Sequence, residues 1–104
     1  MEQTQMDCPI ELTVQLIGNK WKPIIIHHLL EGKKRFNELK RLLPNISQKI
    51  LTDNLRALEE DGIITRTVYP EVPVRVEYEL TDIGRRLYKV IDEMRDWGEE
   101  YRKD

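Results

Sequence analysis

The stretch PNISQKILTDNLRALEEDGIITRTVYPEVPVRVEYEL, residues 44–80, limits the possible folds of this chain more than any other segment. Ser47 is placed to cap a helix running to about Asp61. Leu51, Leu55 and Leu58 recur at the spacing of one buried helical stripe, and Gly62 follows where a C-cap is needed. The composition then switches. Ile63 to Tyr69 is rich in strand formers, and from Val74 to Leu80 the residues Val76, Tyr78 and Leu80 alternate with Arg75, Glu77 and Glu79. The PEVP between them holds two prolines that cannot continue a central ladder, so the two runs read as a β-hairpin. A single-faced helix with a hairpin behind it is a shape that enters a nucleic-acid groove.

The upstream residues supply the rest of such a domain. Pro9 to Ile17 reads as a short helix with proline in its first turn, ended by Gly18. Asn19 can cap a second helix to about Leu30. Trp21, Ile24, Ile25, Ile26, Leu29 and Leu30 make that helix apolar on most of its surface, as expected of a central core element. After Gly32 the run KKR is a basic connector or a short strand. Phe36 to Leu43 is a third helix, with Phe36, Leu39, Leu42 and Leu43 facing inward, broken by Pro44 and Asn45. The third and fourth helices are then separated by only a few residues, the helix-turn-helix arrangement. Thr81 caps a final helix from Asp82 to about Arg102, striped by Ile83, Leu87, Val90, Ile91, Met94, Trp97 and Tyr101. About 20 residues make roughly 30 Å of helix, more than a 104-residue core uses, so the excess apolar surface is expected to pack on another chain. The fold class is α+β, mainly helical: a three-helix core with a β-hairpin wing, in one domain over 1–104.

Charge decides between partners. The net charge is −2, which taken alone opposes a nucleic-acid partner. Residues 33–56, however, hold Lys33, Lys34, Arg35, Lys40, Arg41, Lys49 and Arg56 against Glu38 and Asp53. A local excess of positive charge is what phosphate contact requires, whatever the total; the plainer alternative is a solvated charged face. With the leucines of the fourth helix turned inward, its outer side carries Lys49, Thr52, Asp53, Arg56 and Glu60, and Ser47 and Gln48 lie at its N-terminus. In a helix-turn-helix docking that half enters the major groove. Gln48 suits adenine edges, Lys49 and Arg56 suit guanine or phosphate, and Asp53 can accept from cytosine. Lys34 and Arg35 of the basic connector and Arg75 near the wing tip complete the expected DNA-facing set, with Glu59, Glu60 and Asp61 expected at the far end, away from the duplex. For Ser47 and Thr52 the alternatives are helix cap and surface residue; for Arg75, a strand cation paired with a nearby glutamate.

These segments resemble the HxlR family of winged helix-turn-helix transcriptional regulators, relatives of the MarR type. The resemblance is carried by CPIE at Cys8–Glu11, IGNKWKPIIIHHLLEGKKRFNEL at Ile17–Leu39, LPNISQKILTDNLRALEEDGII at Leu43–Ile64, VYPEVPVRVEYELTDIGRRL at Val68–Leu87 and WGEEY at Trp97–Tyr101. It implies a bacterial regulator of double-stranded DNA, a repressor or dual regulator. It also implies a homodimer through the N- and C-terminal helices, reading a pseudo-palindromic operator. Carried over by position, Ser47, Gln48, Lys49, Thr52 and Arg56 would face DNA; Asp53 stands where the family often has glutamine, and Asn19 where glycine is common. In several family members the cysteine matching Cys8 senses electrophiles or oxidants. The alternative for Cys8 is a small buried residue packing its helix. A winged-helix module that binds protein and not DNA is the competing functional reading; it need not keep the basic recognition segment.

Little else suggests chemistry. Catalysis needs a nucleophile, base and oxyanion donors in one cleft, and Cys8 has no histidine near it in sequence, so an enzyme is not expected. One cysteine excludes an internal disulfide framework. His27 and His28 are adjacent and on a helix should point about 100° apart, so neither a metal site nor any cofactor is expected. No run approaches the ~18 apolar residues of a membrane span, and the first residues, polar and expected to be loose, lack the pattern of a secretory signal. The cytosol is the expected compartment, no membrane partner is expected, and the identity of any small-molecule effector is left open by the sequence.

Overall fold

Residues 8–104 are described by a computed structural model of the protein; the loose polar segment expected over residues 1–7 lies outside it. The elements in order are α1 (Pro9–Ile17), α2 (Lys22–Leu29), β1 (Lys34–Arg35), α3 (Phe36–Leu42), α4 (Gln48–Glu60), β2 (Ile64–Tyr69), β3 (Arg75–Leu80), α5 (Asp82–Arg85) and α6 (Tyr88–Lys103). The KKR run does form a strand. It pairs with β3, Lys34 opposite Tyr78, and gives an antiparallel sheet in the order β1-β3-β2. In the hairpin Ile64 faces Leu80 and Tyr69 faces Arg75, so Ile64, Tyr78 and Leu80 turn one face of the sheet onto the core.

Among the described residues the core is a single cluster. Ile25, Ile26 and Leu29 of α2 meet Leu39 of α3, Leu51, Leu55 and Leu58 of α4, and the buried residues of β2 and β3. The turn between α3 and α4 is set by Asn45, whose φ of 77° lies in the left-handed region that asparagine tolerates better than most residues. Ile46 inside the same turn is buried. Gly62 ends α4 with φ of 77°, the conformation for which glycine is favoured after a helix.

Two expectations fail. Leu42 is 41% exposed and not turned inward, because α3 ends there and only Leu43, in the following turn, reaches the core. The single C-terminal helix is in fact two. Arg86 and Leu87 form a tighter turn between α5 and α6, with the Leu87 N–H donating to the Gly84 carbonyl. The cause is tertiary. Thr81 caps α5 by accepting from the Gly84 N–H, and its own hydroxyl donates back to the Gly62 carbonyl at 2.7 Å. Gly84 then lies so close to the Ile63 carbonyl that a Cβ there would collide with it. This docks α5 on the end of the hairpin, and α6 leaves in a direction set by that contact. Of the expected C-terminal stripe only Ile91 is buried; Met94, Trp97 and Tyr101 are exposed, with the last two rings stacked at 5.3 Å. No helix among the described residues is long and apolar enough to cross a membrane.

Candidate nucleic-acid interface

Helix α4 is held by its leucines and by one polar residue that the leucine pattern does not single out. Asn54 is 8% exposed. Its Nδ2 donates to the Ile50 carbonyl at 2.8 Å, and its Oδ1 accepts from Asn19 Nδ2 at 2.9 Å. The Oδ1 of Asn19 in turn accepts from the backbone N–H groups of Trp21 and Lys22. The N-cap of α2 is Trp21 and not Asn19 as expected; Asn19 stands two residues earlier, where its side chain bonds the turn that leads into α2 and ties it to the middle of α4. Buried side-chain amides persist where their hydrogen bonds are made, and this pair fixes α4 in rotation about its own axis.

That rotation presents a definite face. Ser47 caps α4, its Oγ accepting from the Ile50 N–H at 3.1 Å. Gln48 and Lys49 in the first turn are exposed, as are Asp53 and Arg56 further along, with Thr52 half-buried between them. Lys49 and Asp53 are not independent: Nζ and Oδ2 lie 2.7 Å apart, one helical turn along the surface. Their charges offset each other locally, so the cationic character of the face falls mainly to Arg56.

The sheet supplies what α4 lacks. A cleft of about 450 Å³ runs between α4 and the hairpin, lined by Gln48, Thr52 and Arg56 on one wall, Arg66 and Val76 on the other, and Phe36, Leu55 and Tyr78 at its base. Arg66 lies outside the DNA-facing set expected from the sequence. The signal was there, since Ile64 faces the core and the period-2 rule puts Arg66 on the same side, one step further out. Neither Arg56 nor Arg66 is in an ion pair among the described residues. Glu59, expected away from the interface, also lines this cleft.

The remaining expected contacts divide. Arg35 is exposed at the N-cap of α3, where its backbone N–H donates to Glu38 at 2.7 Å and leaves the guanidinium outward. Lys34 is half-buried and 3.5 Å from Glu31. Arg75 is tied into the wing, 3.0 Å from Glu71 and 3.7 Å from Glu77, with its guanidinium 4.0 Å above the Tyr69 ring. It therefore shapes the wing tip before it is available to anything else. Cys8 is exposed at the N-cap of α1 and is not packed in the core.

The adjacent histidines do not diverge as expected. Their ring centroids are 5.0 Å apart, tilted by 59°. Burial, reinforced by the neighbouring His27, holds the His28 imidazole below its ordinary pKa.

Comparison with known proteins gives concordant findings. The family model described as HxlR-like helix-turn-helix matches residues 16–104. The uncharacterized HTH-type transcriptional regulator YdeP of Bacillus subtilis is 56% identical over 95 residues, covering 91% of this chain and 74% of the relative. The redox regulator HypR in its oxidized form superposes with a TM-score of 0.85 at 52% identity, over 89% of this chain and 96% of that one. The reduced form of the transcriptional regulator YodB from B. subtilis gives 0.79 at 43% identity, over 92% and 95%.

Proposed function

This chain belongs to the HxlR-like helix-turn-helix family, and on that premise we propose that it is a sequence-specific regulator of double-stranded DNA, acting as a repressor. The observation that carries this reading is the placing of Arg56 and Arg66 across the cleft beside α4, with Gln48 and Thr52 on the Arg56 wall. Two guanidiniums facing a groove lined by amide and hydroxyl groups match a duplex edge: cations for phosphate or guanine, the amide for adenine. Arg35 extends the positive surface along the backbone, with Ser47 and the ion-paired Lys49 and Lys34 as further polar contacts. Asp53 reaches a base only by exchanging Lys49 for it.

The partner is duplex DNA read by a homodimer. The exposed apolar side chains of α1 (Ile10, Leu12, Val14) and α6 (Met94, Trp97, Tyr101) are the surfaces that a second copy covers. Two-fold symmetry then sets two half-sites about one or two helical turns apart. Cys8 stands exposed at the start of α1, so its oxidation or alkylation alters the dimer and with it DNA binding, in keeping with the redox regulator HypR among the structural neighbours.

Selection of bound duplexes from fragmented host genome tests both parts, run with and without a thiol oxidant and again on Cys8→Ser. Enriched pseudo-palindromes, lost on oxidation only in the wild type, are the expected result. No enrichment at low salt would refute DNA reading. Enrichment that ignores oxidant would leave Cys8 without a sensing role.

A further inference from the structure

Away from the cleft, at the C-terminal end of α2, His27, His28 and Glu31 converge. One ligand atom from each lies within 4.8 Å of the others. Glu31 lies in the turn that follows α2, its N–H donating to the His28 carbonyl at 3.2 Å, and this turn brings its carboxylate back beside the two rings. Adjacent imidazoles on a helix would otherwise point apart; here each leans toward the same carboxylate.

We propose that these three side chains form a site for a divalent transition cation with a preference for imidazole, zinc being the first choice, completed by water. Two imidazoles and one carboxylate suit zinc, copper, nickel or iron better than calcium or magnesium, which take oxygen donors. Ligand bonds to zinc are about 2.0–2.2 Å, which places the ligand atoms roughly 3.3 Å from one another. The observed spread therefore closes by about 1.5 Å, within reach of rotation about the side-chain torsions of a half-buried and an exposed residue at the surface, His27 and Glu31. The buried Nδ1 of His28 has no hydrogen-bond partner among the described residues, so part of this ring is not committed to any other group. A cation is already drawn to the spot: Lys34 Nζ lies 3.5 Å from Glu31 Oε1. The end of a helix also favours positive charge. Lys34 is then a competitor for the carboxylate. His27 further lines a hollow between α2 and α6 with Ile91, Met94 and Arg95, so a bound metal would stiffen the contact on which α6 is carried.

The test uses the full chain with any affinity tag removed, stripped with chelator, in the Cys8→Ser background so that no thiolate takes part. Calorimetric titration with zinc chloride is expected to give one ion per chain, and zinc is expected to raise the melting temperature. His27→Ala and Glu31→Gln, both outside the core, are each expected to weaken binding at least tenfold and abolish the thermal shift. Lys34→Gln is expected to tighten binding several-fold by freeing the carboxylate. Circular dichroism confirms that each variant is folded. Equal zinc affinity in parent, His27→Ala and Glu31→Gln, or weaker binding in Lys34→Gln, would overturn the assignment.

Discussion

Replacing Asn54 by alanine should destabilise the domain and displace the face of α4 proposed to meet DNA. Two hydrogen bonds go, to the Ile50 carbonyl at 2.8 Å and from Asn19 Nδ2 at 2.9 Å. Each contributes about 1 kcal/mol net when made. The full penalty for stranded partners does not apply, because Asn19 is exposed and can hydrate its freed amide, and the Ile50 carbonyl keeps its place in the helix ladder. Alanine recovers a few tenths of a kcal/mol, roughly 0.5, in helix propensity. The expected loss is therefore about 1.5 kcal/mol, or roughly 6–12 °C in Tm for a domain of this size. Urea denaturation at fixed protein concentration measures it, concentration mattering because the proposed dimer would stabilise the folded state. A double-mutant cycle with Asn19→Ala should give a coupling of about 0.5–1 kcal/mol. A coupling near zero would show that the two amides do not hold α2 and α4 in register, and the account of how α4 is oriented would fail.

Three further outcomes follow from particular contacts. Gly84→Ala should cost about 1–3 kcal/mol by chemical denaturation, since the new methyl meets the Ile63 carbonyl; a neutral result would mean that α5 is not seated there. Trp97→Asp, at a side chain 65% exposed, should shift the protein from dimer to monomer in sedimentation without loss of helical signal, whereas an unchanged dimer would remove α6 from the interface. Arg66→Ala should lower the slope of log K against log salt by about 1.8 for a dimer, about 0.9 for each phosphate that the arginine no longer neutralises, and an unchanged slope would place Arg66 off the duplex.

The parts of the fold that could be read from the chain are those fixed by local chemistry. Ser47, the leucine stripe and Gly62 bracket α4, because cap, period and left-handed terminator are each properties of a few neighbouring residues. The alternation of Val76, Tyr78 and Leu80 gave β3 and its buried face for the same reason. What was hidden depends on residues distant in sequence. The break between α5 and α6 comes from Gly84 meeting Ile63, and nothing in a helical stripe reports that contact. Asn54 sits on the buried side of α4 because Asn19, 35 positions away, answers it. The candidate interface was legible in its helix and incomplete in its strand. Arg66 joins Arg56 only once β2 is folded against α4, and the Lys49–Asp53 pair makes the first turns of α4 less cationic than a count of charges suggests.

The most direct test places a DNA-cleaving reagent on a single cysteine at position 48, Gln48→Cys in the Cys8→Ser background, with the exposed Asp82→Cys, beside the far end of α4, as the control. Bound to a selected operator, the position 48 conjugate should cut at two clusters about one or two helical turns apart, inside the half-sites, and the position 82 conjugate should leave the duplex intact. Cutting from position 82 with none from position 48 would contradict the assignment of α4 as the element that lies against the base pairs.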